Sequence, residues 1–293
     1  QAEDGIRDVE RSRGLGDVYK RQDIIHDVKV NVNFGQRSIC LHAEDVLRYG
    51  SYTLDVDHEK VIKLFSEVKA VEGVKGVGIS HAALSSMAAN RRTVEQISEI
   101  LELDSTHWLG FQTGIETGSP RLIEKHMHMK PYPFKPSEWP DVVEEAFSIA
   151  ADNNWVPCAT LIVNLPGESA DDVIKTVELV ERLYHYKSLI TPLLYVPMGG
   201  GMEKAKPMRF IEDAEWYHFE LYKAVWRHNL RWMHVLARDY SRGSHPFARL
   251  AITILVEVIR KIVNHRAVSF LEEELNRRKA KALITPYART PNK

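Results

Sequence analysis

Four polar residues stand where an apolar run gives out: Glu44 after "SICLHA", Gln112 and Glu116 within "LGFQTGIETGSP", and Asn164 in "LIVNLPGES". Each puts a strong hydrogen-bonding group at the end of a segment that reads as a strand. A carboxylate placed there accepts hydrogen bonds from a ligand's hydroxyls or ammonium, and charge-assisted bonds are the stronger kind. Gly114 and Gly118 flank Glu116 and let the backbone approach a ligand without a Cβ clash. Other assignments fit the same letters. Glu116, close to Ser119, can neutralise a helix start, worth up to about 1 kcal/mol. Glu44 and Asp45 can cap the helical-looking "EDVLRYG", and Pro166-Gly167 can be a turn that only launches the next helix.

Periodicity supplies the elements that must position these residues. The spacing predicts strands near 38–42, 75–81, 108–115, 157–164 and 189–196. Between them fall helices over 57–73, with Val61, Ile62, Phe65 and Val68 on one face, and over 93–103, with Thr93 as cap and Gln96 at capping-box spacing. Others start at Ser119-Pro120, cover 137–154, and cover 169–186 with Ser169 as cap. Alternating strands and helices with connections too long for hairpins imply a parallel sheet. Polar and glycine residues cluster after every strand, at 42–45, 80–81, 112–116, 164–168 and 199–201. Barrel active sites are built at such strand ends, whereas a doubly wound sheet concentrates them at one switch point. The expected fold class is α/β, a partial (β/α) barrel. Beyond Gly201 the composition changes: Trp216, Phe219, Tyr222, Trp226, Leu230 and Met233 recur at helical spacing, and further helices are expected over 246–264 and 269–282. This reads as a C-terminal helical subdomain, ending in a solvated basic tail over 277–293.

Composition excludes several classes. The 293 residues are 44% hydrophobic and 27% charged, enough for a sizeable core. Lys+Arg 39 against Asp+Glu 40 leaves a charge of -1 and no electrostatic drive toward DNA. Two cysteines are too few for a disulfide framework. The longest apolar run, "LAITILVEVIRKIV" from Leu250, carries Glu257, Arg260 and Lys261 and reads as a buried or interface helix, not a membrane span. No signal peptide is visible, so a cytoplasmic protein is expected.

Three segments carry a resemblance. "ICLHAEDVLRYGS" (39–51), "GIETGSPRLIEKH" (114–126) and "ATLIVNLPGESADDVIKTVELVERL" (159–183) resemble, in this order and at barrel-unit spacing, the second-, fourth- and fifth-strand regions of radical S-adenosylmethionine (radical SAM) enzymes. The group most resembled is the iron–sulfur oxidoreductases often fused to a cobalamin-binding domain, and the similarity covers roughly residues 23–198. It implies an enzyme that reductively cleaves S-adenosylmethionine at a 4Fe–4S cluster to give a 5′-deoxyadenosyl radical. It further implies a flavodoxin- or ferredoxin-type electron donor and, in the parent protein, cobalamin. It implies that Glu116 contacts the cofactor's ribose diol or ammonium, with Gln112 and Thr113 in support. Glu44 and Asp45 then align with the loop that receives the methionine ammonium, and Asn164, Leu165, Pro166 and Gly167 form a wall against adenine, with Glu168 orienting that loop.

The departures matter equally. The family's CxxxCxxC cluster loop is absent, and Cys40 and Cys158 sit within strands, as small core residues do. N-terminal truncation is the economical account: residues 1–22 resemble translated adapter read-through, 23–201 a core barrel lacking its first strand, and 202–293 a helical extension. Such a fragment is expected to be inactive by itself. His126 and His128 are two apart, unlike the spacing of four that suits a zinc pair on a helix. His42 and His81 stand at strand ends, where they either face substrate or are ordinary hydrogen-bonded histidines. The competing function is a non-radical barrel enzyme or degenerate module binding an anionic small molecule at the helix starts after Ser119 and Ser169.

Overall fold

The structure, a computed structural model, describes residues 20–197 and 208–284. The glycine run at 199–201, the expected tail up to residue 19 and the end of the basic tail from residue 285 lie outside the described residues. Among the described residues five strands alternate with helices: β1 Ser38–Leu41, β2 Gly76–Ile79, β3 Leu109–Glu116, β4 Trp155–Val163 and β5 Leu189–Leu194. The helices are α1 Arg21–Asn33, α2 His58–Lys69, α3 Leu84–Ala89, α4 Arg91–Leu101, α5 Pro120–Met127, α6 Trp139–Asp152 and α7 Ala170–Arg182. After a one-turn helix at Phe210–Asp213 come three longer ones among the described residues, α8 Trp216–Tyr240, α9 Pro246–Val258 and α10 Asn264–Ile284, with a π-helical step at Ile259–Val263 between the last two.

The strands fall into two sheets, β1-β2 and β3-β4-β5. β1 and β2 pair in parallel, Ser38 opposite Gly76. One isolated parallel bridge, His81 to Gln112, ties the end of β2 to β3 through Gln112 N to Ser80 O (2.8 Å) and Ala82 N to Gln112 O (3.3 Å). Neighbours in the sheets follow chain order, as expected. The architecture is mixed α/β with parallel strands; five strands in two sheets do not by themselves make a barrel.

The chain divides into two compact units, Gln1–Ile115 with Ile123–Ala159, and Glu116–Leu122 with Thr160–Lys293. In the first, α2 packs on α4 and α3 on α6. Val61, Leu64, Phe65 and Val68 recur at three- and four-residue steps on α2 and are buried, each worth roughly 1.5–3 kcal/mol. Asp57 starts this helix by accepting from Lys60 N (3.1 Å). Thr93 is not the cap of the next helix. α4 begins at Arg91, after Asn90, and Thr93 is buried inside it with its Oγ1 2.9 Å from His58 Nδ1. The buried Trp155 of β4 packs edge-on against Phe111 and donates from Nε1 to Ser98 Oγ (2.8 Å).

In the second unit the long helix α8 packs on α7, α10 and β5. Its buried face runs through His218, Leu221, Val225 and His228, with Phe219 and Ala224 beside it. The expected aromatic stripe is thus displaced: Trp216, Tyr222, Trp226, Leu230 and Met233 are only half-buried, and two histidines hold the core face. β5 ends its sheet, and there Asn229 fills the place of a strand partner: its amide accepts from Ile190 N (2.9 Å) and donates to Ile190 O (2.8 Å).

Candidate functional site

In the first unit the loops after β1 and β2 are stitched together. Ser80 Oγ donates to Ala43 O (2.9 Å) and accepts from Ala43 N (3.0 Å), while Val46 N donates to His81 O (3.2 Å). Asp45 closes the seam. Its carboxylate accepts from Leu47 N, Ala83 N and Ser86 Oγ, the last at 2.6 Å, and pairs with Arg48. Burial pushes Asp45 above the usual carboxylate range, against the pull of Arg48 and these hydrogen bonds. Asp45 therefore caps and braces, and Glu44 is left exposed.

Glu44 lines a cavity of about 110 Å³ together with His81, Gln112, Thr113, Gly114 and Lys130. That is well below the roughly 300 Å³ at which whole small-molecule pockets begin, so it suits one polar end of a ligand. His81 supplies its least satisfied atom: Nδ1 is buried and has no hydrogen-bond partner among the described residues. Such an orphan costs about 1–3 kcal/mol until something meets it. The His42 ring stands edge-on to the His81 ring at 6.1 Å. Thus Glu44, Gln112, Thr113 and His81 line one cavity of the first unit.

Glu116, Asn164, Pro166 and Gly167 belong to the second unit. Glu116 ends β3 and Asn164 follows β4, and both have left-handed backbones, φ 63° and 67°. The other two non-glycine residues of that kind among the described residues, Glu102 and Asn154, follow the ends of α4 and α6, where left-handed residues are routine. At strand ends the same conformation is uncommon and is stored where surrounding structure over-determines it. Thr160 of β4 donates to Glu116 Oε2 (3.4 Å). At the start of α5 the Ser119 Oγ accepts from Leu122 N.

Gly118 has a different job from the one expected. A Cβ built there would lie 2.6 Å from Lys175 O and 2.7 Å from Thr176 Cα, so the bend is pressed against the backbone of α7. Asp172 on that helix, 1% exposed at its side chain, is the hub. Its carboxylate accepts from Ser119 Oγ, Ser169 Oγ and the Arg121 guanidinium, and Arg121 Nη2 also donates to Gly167 O (2.8 Å). Burial alone would raise the Asp172 pKa; the bonds from Arg121, Ser119 and Ser169 outweigh it and hold the carboxyl well below the usual range. Both helix starts offered by the sequence as anion sites are therefore already served by an internal anion. Glu168 orients the loop that precedes it: Oε1 accepts from Asn164 N (3.0 Å).

The cysteines are unsuited to a cluster. Cys40 is exposed on β1 and Cys158 half-buried on β4, and no three His, Cys, Asp or Glu side chains among the described residues converge as metal ligands. A 4Fe–4S cluster held by three thiolates does not fit the chain's two. Sequence reasoning passed over His218, which no local motif marks, and gave Asp172 no role, although its capping-box spacing from Ser169 was a signal that could have found it.

No protein-family model matches the chain. Over 178 residues it is 24% identical to two curated proteins, both called tRNA-2-methylthio-N(6)-dimethylallyladenosine synthase, from Thermoanaerobacter sp. (strain X514) and Thermoanaerobacter pseudethanolicus (strain ATCC 33223 / 39E). The match takes in 60% of this chain and 34% of each relative, so it spans about a third of their length.

Proposed function

We propose that this chain is the S-adenosylmethionine-holding core of a radical SAM enzyme, with a barrel-type arrangement of its strands. The observation that carries the reading is the pair of left-handed residues, Glu116 and Asn164, at the carboxyl ends of β3 and β4. The resemblance of the three strand-end segments and the distant similarity to the two synthases support it. In the second unit the Glu116 carboxylate accepts from the ribose hydroxyls, and the loop Asn164, Pro166 and Gly167 lies along the adenine. In the first unit the cavity lined by Glu44, Gln112 and Thr113 takes a methionine-like ammonium, and the orphaned His81 Nδ1 fits a ligand that brings polar hydrogens or acceptors.

The cluster is kept out of this reading, since the chain's cysteines do not fit it, and no electron-transfer step is assigned. The flavodoxin- or ferredoxin-type donor and the cobalamin implied by the resemblance depend on that cluster and form no part of the proposal. The tRNA specificity in the relatives' name is likewise left with them: a net charge of -1 gives no drive toward a polyanion.

Titration calorimetry of the whole chain tests the reading with S-adenosylmethionine, adenosine and methionine. Saturable binding of S-adenosylmethionine is expected. Glu116→Ala should weaken adenosine at least about tenfold, since a hydrogen bond to a charged group is worth roughly 1.5–3 kcal/mol. Absence of saturable binding, or unchanged affinity in Glu116→Ala, would sink it.

A further inference from the structure

The long helix α8, read from the sequence as part of a helical subdomain, reaches with its first turn the loop that follows β4. His218, 4% exposed, accepts from Glu215 N at Nδ1 (2.9 Å). That bond fixes the tautomer: the proton of the neutral ring sits on Nε2, which lies 3.2 Å from Glu168 Oε1. The same carboxylate oxygen accepts from Asn164 N. Both side chains are shielded, 5% and 8% exposed, so water competes weakly for these bonds. Asn164 has a left-handed φ of 67°, a conformation that asparagine adopts more readily than most residues but that is a minority one outside glycine, so a bond to its backbone N–H helps to select it. On the far side of the loop, Arg121 holds Gly167 O.

We infer that His218 is a positioning residue for the 164–168 loop: through Glu168 it holds Asn164 in its left-handed conformation, so α8 is part of the ligand-binding apparatus and not a scaffold alone. The consequence for binding rests on the proposed function; the consequence for the loop does not. His218→Leu keeps volume and removes the donor, whereas His218→Gln places an amide N–H where Nε2 stands.

Hydrogen exchange of the ligand-free whole chain reads the loop directly. The Asn164 amide should exchange about tenfold faster in His218→Leu, one hydrogen bond's worth, and return to the wild-type rate in His218→Gln, with melting temperatures of the two variants alike. Adenosine affinity should follow the same order, down about tenfold in the leucine variant and restored by glutamine, while methionine affinity stays level. An Asn164 amide equally protected in His218→Leu overturns the inference. So does a glutamine variant that behaves as the leucine one, for then packing and not the donor matters. Wild-type protein that ignores adenosine overturns the proposed function instead, and the exchange data still judge His218. Should His218→Leu fail to fold, Glu168→Ala removes the acceptor from the loop side and is read in the same way.

Discussion

Asp45 and Asp172 are both carboxylates sunk among donors, yet their proton affinities move in opposite directions. Burial is the largest influence on each and raises both. At Asp45 it prevails; at Asp172 the Arg121 guanidinium and two serine hydroxyls reverse it. An acid depressed in the folded state contributes stability above its unfolded pKa and loses it as pH falls through the folded value. Asp172→Asn should therefore cost about 2 kcal/mol near neutral pH, and the gap to wild type should shrink below about pH 4. Urea midpoints of both proteins across that range check this; a gap that stays constant into acid would show that the charge is not its source. The same hub explains what the residues 114–119 concealed. A glycine two residues after a glutamate reads equally well as room for a ligand or room for a helix, and Gly118 proves to be the second. Only the distant partner, α7, decides between them, and no local pattern names it.

Elements were legible where one face is buried. The five strands fall within two residues of their expected bounds at every end, because apolar runs between glycine and polar punctuation leave few alternatives. The start of α4 was misread: Thr93 has the chemistry of a cap, but burial against His58 serves its hydroxyl instead. α3 was missed since its six residues are too few to show a period. The buried face of α8 was misplaced because histidine is not counted as apolar. His228 on that face shares a hydrogen bond with Ser188 Oγ (2.8 Å), and burial, aided by Arg231 and opposed by Ser188, lowers its pKa to about 4. The unfolded chain binds that proton from about pH 6.5 downward. Stability should thus fall as pH drops from there toward 4, by the slope of one proton. His228→Gln, which keeps a partner for Ser188 and does not titrate, should show a flatter profile of melting temperature over this window. An unchanged slope would assign the effect to other groups.

At the scale of the molecule, alternation announced parallel strands but not where the chain would divide. The division passes through β3 between Ile115 and Glu116 and through β4 between Ala159 and Thr160, a boundary that depends on long-range packing and leaves no mark in composition. The run from Leu250, read as a buried or interface helix, has no buried residue along α9: Phe247 is 78% exposed, and Leu250, Ile254 and Leu255 are each more than half exposed. No helix among the described residues is long and apolar enough to cross a membrane. A contiguous apolar surface of this kind binds amphiphilic dyes in the native state. Anilinonaphthalene sulfonate should therefore fluoresce on the folded protein at room temperature, and Leu250→Glu with Ile254→Lys should abolish the signal without lowering the melting temperature seen by circular dichroism. A dark native protein would contradict the exposure of α9. For the bench the corollary is practical: dye-reported melting curves of this protein start from a bright baseline and understate its cooperativity, so ligand screens should follow tryptophan emission or ellipticity instead.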